Sequence, residues 1–394
     1  AMSACEKDGQ WQRAFILFGM MPQLGVPRDV ISCNACLSSC EKGGQWQRAL
    51  ALLREAQGRS VPPQMMAFNA GISACEKGLQ WQIALDLMAE VRRRGFQPDI
   101  ITYSAAISAC EKCARWERAL QLLAELQVED LDPDVISYSA AMSACEKARR
   151  WDQALQLLDE MQARRKEPNL VTFSAAISAC EKRRQWEAAL RLLEDLLSRR
   201  MEPGIITYNA VISACEKGTE WKWSMEVLGR ARAALVEVDA VSYGAAITAC
   251  ETGLKWQRAL ALLAEMRGLR LEPTKVTYSS AINACEKMLE WRPALALLAD
   301  MHRREIVPGI HAYNAAVVAC AKAGRWRSVL QLATDMRRHG TRPDAVTCHW
   351  AAGACEGGGA GERAVEFLAE VWELAGDMLR RIRAERQGWQ GSSS

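Results

Sequence analysis

Apolar and small residues recur along this chain at helical spacing, in a pattern that breaks and restarts at fixed intervals. In the stretch 100–134, IITYSAAISACEKCARWERALQLLAELQVEDLDPD, Tyr103, Ile107, Cys110 and Ala114 stand at i, i+4, i+7 and i+11. That spacing marks one face of a first helix, helix A, with Thr102 placed to cap its start. A polar break at Lys112 to Arg115 precedes Trp116, Leu120, Leu123 and Leu126, the apolar stripe of a second helix, helix B. Pro133 follows, and Pro98, Pro168, Pro203, Pro273, Pro308 and Pro343 hold the same place elsewhere, which predicts that proline ends helix B and sets the turn into the next helix A.

The stretch is one copy of a repeat. Cys5, Cys40, Cys75, Cys110, Cys145, Cys180, Cys215, Cys250, Cys285, Cys320 and Cys355 follow one another every 35 residues without insertion or deletion. A Trp keeps register six residues behind each, from Trp11 and Trp46 to Trp291 and Trp326, and the series ends where Gly361 stands. Neither helix is long enough to be stable alone, and a hairpin of two leaves an apolar face open, so the units must stack. The expected fold is all-α, a right-handed α-solenoid superhelix of stacked 35-residue helix-turn-helix repeats. Residues 1–29 read as a truncated repeat lacking the start of helix A, and 30–344 as nine complete repeats. Residues 345–387 read as a degenerate repeat with a polar-faced C-terminal capping helix, and 388–394 as a disordered tail.

The repeat accounts for an unusual composition, 15 Cys and 14 Trp beside 4 His in 394 residues. Stacked helices lie about 8–10 Å apart, beyond the roughly 7 Å reach of a disulfide, so the Cys ladder is expected to be buried and free. Zinc needs four converging ligands, which neither the rung spacing nor the sparse His provides, and Cys33 and Cys36 form a lone CxxC inside a helix. The Trp series reads as a packing aromatic at the start of helix B, filling the groove between repeats. No Ser/His/Asp set, paired carboxylates or phosphate loop recurs or stands alone, so the chain is expected to be no enzyme and to need no metal, cofactor or small-molecule substrate. No apolar run is long enough to span a bilayer. Lys+Arg 50 against Asp+Glu 47 leave a net charge of +3, so a nucleic-acid partner would have to be held by local patterning.

That patterning is found on the exposed positions of helix A, which a stack aligns along its inner surface. Lys7, Lys42, Lys77, Lys112, Lys147, Lys182, Lys217, Lys287 and Lys322 follow the ladder Cys by two, a row broken at Thr252 and Gly357. One ammonium per repeat could track a phosphate backbone, although a Lys at a helix C-terminus also complements the helix dipole and a neighbouring Glu offsets its charge. A small polar residue follows the helix A aromatic: Asn34, Asn69, Ser104, Ser139, Ser174, Asn209, Gly244, Ser279, Asn314, then His349. A second variable site closes each unit: Gln64, Asp99, Asp134, Asn169, Gly204, Asp239, Thr274, Gly309, Asp344. Asp or Asn there is also what a helix cap or a Pro-Asp turn requires. Paired variation at two polar sites per repeat is the pattern expected of a modular reader of single-stranded RNA.

The strict 35-residue period, the ITYSAAISAC-type helix A, the WxxALxLLxEM helix B and the closing Pro-Asp resemble a pentatricopeptide repeat protein over residues 1 to about 379. Tetratricopeptide arrays differ in period and in their opening motif. The resemblance implies one unstacked base per repeat, with the chain parallel to RNA read 5′ to 3′. It makes the small polar residue and the last residue the base-reading pair. It places Ile31, Met66, Ile101, Ile136, Val171, Ile206, Val241 and Val276 as residues that sandwich bases, with His311 replacing the next, and sets the Lys row against phosphates. The pairs Asn69/Asp99, Asn209/Asp239 and Asn314/Asp344 then imply U, Ser104/Asp134 implies G and Ser139/Asn169 implies A. Asn34/Gln64, Ser174/Gly204, Gly244/Thr274 and Ser279/Gly309 have no family assignment, and His349 faces Leu379 in place of a reading partner. The nine complete repeats would read 5′-N-U-G-A-N-U-N-N-U-3′.

The expected function is sequence-preferring single-stranded RNA binding in chloroplast or mitochondrial RNA processing, stabilisation or translation, with processing or translation proteins supplied in trans. The alternative is an α-solenoid scaffold for protein interactions without RNA binding, favoured by the Glu beside nearly every Lys. The chain opens inside a repeat, so any transit peptide is expected upstream.

Overall fold

The computed structural model describes residues 2–57 and 64–358. Helices A and B alternate throughout, as in Ile100–Lys112 with Trp116–Val128, Val135–Lys147 with Trp151–Ala163, and Ile310–Lys322 with Trp326–Arg338. There is no β-strand among the described residues. The capping helix and tail expected beyond residue 358, and Gly361 and Leu379 with them, lie outside the described residues.

Each helix A is started by the residue that closes the preceding unit. Asp99, Asp134, Asp239 and Asp344 are extended and accept the backbone N–H of Thr102, Ser137, Ser242 and Thr347 respectively, as Asn169 does from Thr172. Thr102 is therefore the third residue of its helix, not the cap the sequence suggested. A carboxylate one turn earlier reaches the free amide better than a hydroxyl already inside the helix. The helix ends at Lys112, so Ala114 leaves the apolar face and turns into the left-handed region at φ 54.

Helix B ends before its proline. Asp130 takes φ 56, and Leu131 donates back to the Leu126 carbonyl, closing the helix well ahead of Pro133. The left-handed residue makes the stop, and the buried proline instead fixes the residue leading into the next cap.

The chain divides into two compact units between Thr207 and Tyr208, and their described residues are built in the same way. Within each, successive A helices pack directly on one another, and each B helix packs on its own helix A and the next one. Small residues permit this: Ala105, Ala106, Ala109 and Cys110 let the A helices approach closely, while Tyr103 and Ile107 fill the layer toward helix B, all of them buried. Tyr hydroxyls find partners there, with Tyr138 donating to Glu160 at 2.9 Å in the first unit and Tyr278 to Asp300 at 2.6 Å in the second. The ladder thiols from Cys40 to Cys355 have no exposed surface and are free. Burial raises Cys145 and Cys180 to about 12, which keeps them protonated and inert.

Candidate nucleic-acid interface

The exposed side of the A row begins with an aliphatic residue that the fold leaves uncovered. Ile31 and Ile206 expose 73% and 75% of their surface, and Met66, Ile101, Ile136, Val171, Val241 and Val276 are exposed likewise. His311 holds the next place and is exposed too. A large apolar side chain left in water at the same place in eight repeats is not a core residue, and it offers an apolar surface to a planar ligand. Between the first two such positions runs a groove of about 770 Å³, the size of a ligand cleft, whose walls include Ile31, Asn34, Glu41, Met66, Asn69 and Ile101.

The polar residue three places on lies half-buried in this face, and in three units it is tied to the residue that closes the unit. Asn69 Nδ2 donates to both carboxylate oxygens of Asp99 at 3.2 and 3.3 Å, Asn209 does the same to Asp239, and Asn314 reaches Asp344 at 2.9 Å. The two sequence positions thus meet although 30 residues separate them. One oxygen of each Asp also caps the next helix, so capping and contact with the Asn are shared by one carboxylate. Burial alone would raise Asp239 and Asp344, but the backbone and side-chain hydrogen bonds from Ser242 and Thr347, with the Asn amides, outweigh it and hold both below 3.8.

The other units are arranged differently. Ser104 meets the Ser137 hydroxyl at 2.8 Å and Ser174 meets Thr207 at 2.9 Å. Ser139 and Ser279 turn back to their own helix, donating to Val135 and Lys275 carbonyls. Asn34 Nδ2 points at Met66 Sδ, 3.6 Å away, and Gln64 makes no capping bond. Gly244 has no side chain to offer Thr274, Gly204 and Gly309 none to offer Ser174 and Ser279, and His349 stands exposed beside Trp350.

Each Lys of the row ends its helix A, and most reach back one repeat. Lys77, Lys112, Lys147 and Lys182 pair with Glu41, Glu76, Glu111 and Glu146 at 2.7–3.2 Å in the first unit, and Lys287 and Lys322 with Glu251 and Glu286 in the second. Lys42 and Lys217 likewise close their helices. The ammonium also contacts the carbonyl of Glu111 or Glu146, so it sits over the negative end of the preceding helix. These ladders were not foreseen from sequence as contacts between repeats, although Glu and Lys recurring 36 residues apart carried the signal.

The Trp series lies apart from the groove, at the turn between helices A and B. A Cβ on Gly43, Gly78, Gly253 or Gly358 would run into the Trp11, Trp46, Trp221 or Trp326 ring, so each Trp packs on the end of the next helix A. Arg150 covers Trp116 at 4.5 Å and Arg325 covers Trp291 at 4.8 Å. The rings are half-buried, and those of Trp11, Trp81 and Trp221 also lie under a cation of the following repeat. Among the described residues no group of His, Cys, Asp and Glu could hold a metal, and no helix is long and apolar enough to cross a membrane.

Comparison with known proteins agrees with this geometry. The "PPR repeat family" model matches residues 133–182 and 168–217, the "Pentatricopeptide repeat domain" model 86–148, 227–288 and 296–355, and the "PPR repeat" model 1–26, 31–61 and 276–306. No curated protein matches the chain. Among solved structures, the pentatricopeptide repeat protein PPR10 from maize is similar at a TM-score of 0.60 and 23% identity, over 94% of this chain and 53% of that one. PPR10 in complex with an 18-nt psaJ RNA element is similar at 0.57 and 17%, over 95% and 60%. The chain thus spans a little over half the length of these relatives. Repeat models matching in both units, on a solenoid of 35-residue helical pairs, establish that the chain belongs to the pentatricopeptide repeat family.

Proposed function

We propose that the chain binds single-stranded RNA, one base per repeat, without catalysing a reaction on it. The observation that carries this reading is the coincidence, in three repeats, of an uncovered aliphatic face with a hydrogen-bonded polar pair that also caps the next helix. A base seated between two aliphatic side chains would present its Watson–Crick edge to that pair.

The chemistry of the pairs supports different bases. At Asn69/Asp99 the second amide N–H is a donor beside a carboxylate that can only accept. Uracil, with a carbonyl oxygen next to N3–H, complements this arrangement, whereas cytosine would set the bare N3 lone pair against the carboxylate. Ser104/Asp134 keeps the acceptor behind a shorter side chain, leaving room for guanine and its N1–H. At Ser139/Asn169 an amide replaces the carboxylate, and with its oxygen engaged on Thr172 it has a donor for the N1 lone pair of adenine. The register proposed is 5′-N-U-G-A-N-U-N-N-U-3′.

PPR10, whose fold this chain shares, is seen holding an 18-nt RNA element. On that analogy the RNA-bound chain would act in organellar RNA processing, stabilisation or translation, with processing or translation proteins supplied in trans. The Lys row would meet phosphates through the ammonium donors its Glu partners leave over. Those same Glu partners favour a second reading, a protein-interaction scaffold, because they remove most of the net charge that would draw RNA.

Titration of the purified chain with a labelled nonamer carrying the five assigned bases, against one with those bases swapped, at two salt concentrations, separates the readings. RNA reading predicts a preference of about 1 kcal/mol or more per assigned base and weaker binding at higher salt. Equal or absent binding of both nonamers would select the scaffold.

A further inference from the structure

The reading pair has a third member that neither residue of the pair reveals. In every unit where Asn faces Asp, the third residue of the following helix A carries a hydroxyl placed between them. Thr102 Oγ1 lies 2.6 Å from Asn69 Oδ1 and 2.7 Å from Asp99 Oδ1. Ser242 makes the same two contacts with Asn209 and Asp239, and Thr347 with Asn314 at 2.6 Å and Asp344 at 3.0 Å. These hydroxyls are buried, at 0% exposure for Thr102, Ser242 and Thr347, and are held in place by the helix start itself.

The geometry leaves the Asn amide one orientation. Its NH2 must face the carboxylate, since the reverse would oppose two acceptors, and its oxygen must then face the hydroxyl, which donates to it. An amide so fixed presents its remaining N–H in one direction, beside the Asp oxygen. The units lacking the hydroxyl show the alternative. After Asn34 the third residue is Ala67, and the Asn turns to the sulfur of Met66, itself placed to stack on a base. After Ser279 it is Ala312, and the Ser falls back on its own helix, as Ser139 does ahead of Thr172, so the contrast that bears on orientation is the one between the Asn units.

We infer that the hydroxyl at the third helix A position of the following repeat is a positioning residue for base recognition. Thr102, Ser242 and Thr347 hold the reading Asn in the orientation that the Asp carboxylate sets, toward U, and with Gln64 and Ala67 at the matching places Asn34 is left unoriented and poorly discriminating. This rests on the one-base-per-repeat reading above. Orientation matters because a freely turning amide offers donor and acceptor alternately, and so accepts C nearly as readily as U.

The test measures, for the full chain, the ratio of affinities for the nonamer with U and with C at its second base. Thr102→Ala is expected to lower that ratio about fivefold or more, Thr102→Ser to preserve it, and the ratios at the third and sixth bases to stay unchanged in both variants. A purely structural role for Thr102 would instead weaken all RNAs alike, and that result would overturn the inference. An unchanged ratio in Thr102→Ala, with a ratio lost in Asn69→Ala, would also overturn it while leaving base reading intact. A ratio that Asn69→Ala does not move would show that the reading register itself is wrong.

Discussion

Asn34 and Asn69 occupy the same place in adjacent repeats, on helices of the same length, yet their surroundings differ. Asn69 is held by Asp99 and Thr102, two side chains of the chain segment that begins the next helix. Asn34 has Gln64, which caps nothing, and Ala67, which has no hydroxyl, so its amide is left to the sulfur of Met66. One residue type thus gives an oriented hydrogen-bonding group in one unit and a loose one in its neighbour. The difference teaches that one carboxylate both caps a helix and anchors the Asn proposed to contact a base, and that the hydroxyl completing the contact comes from the repeat that follows.

The largest effect should come from removing the part that does both. Asp99→Ala takes away the cap of the helix Ile100–Lys112 and the anchor of Asn69, and is expected to cost about 1–2 kcal/mol in urea unfolding and to abolish the preference at the second base. Gln64→Ala, at the matching place, should stay within about 0.5 kcal/mol and leave RNA preference alone.

The converse change should build what the first repeat lacks. Gln64→Asp with Ala67→Thr is expected to gain about 0.5–1 kcal/mol from a new cap and to create a preference for U at the first base, measurable by the same titration.

Acid distinguishes the two kinds of unit next. Asp239 and Asp344 have folded-state values below 3.8, so the stability they contribute is present above that value and is lost as pH falls through the lowered one. Asp239→Asn and Asp344→Asn should therefore be less stable than the parent chain at neutral pH. Unfolding midpoints measured from pH 7 down to 2.5 should show that gap closing. Gln64 carries no such titration.

The smallest effect belongs to the ladder shared by both units. Lys77→Ala breaks a half-exposed pair with Glu41 and is expected to cost less than about 1 kcal/mol.

Most of the fold was legible because period and burial speak along the chain: a 35-residue spacing, a helical face of Tyr103, Ile107 and Cys110, and a stripe of leucines suffice to place two helices and demand stacking. Local ends were harder. Thr102 looks like a cap in isolation, and only the backbone shows Asp99 reaching its amide first; Pro133 looks like a helix stop, and Asp130 makes that stop earlier by turning left-handed. The pairing of Asn69 with Asp99 was suggested by resemblance, and the geometry gives it a physical basis in three units. What escaped were contacts between one repeat and the next: the Glu to Lys ladder, and the hydroxyls at Thr102, Ser242 and Thr347. A helical face describes a residue's own helix, so such contacts surface only when positions about one period apart are compared.

If each repeat reads one base through a pair completed by the next, one base should be re-addressed by a single change at Ser104. Its unit already has Asp134 and Ser137 where the Asn69 unit has Asp99 and Thr102. Binding of the parent chain and of Ser104→Asn to nonamers with G or U at the third base should show preference switching from G to U by about tenfold or more, at that base alone. A preference that stays with G, or that shifts at other bases as well, would show that these pairs do not set the base.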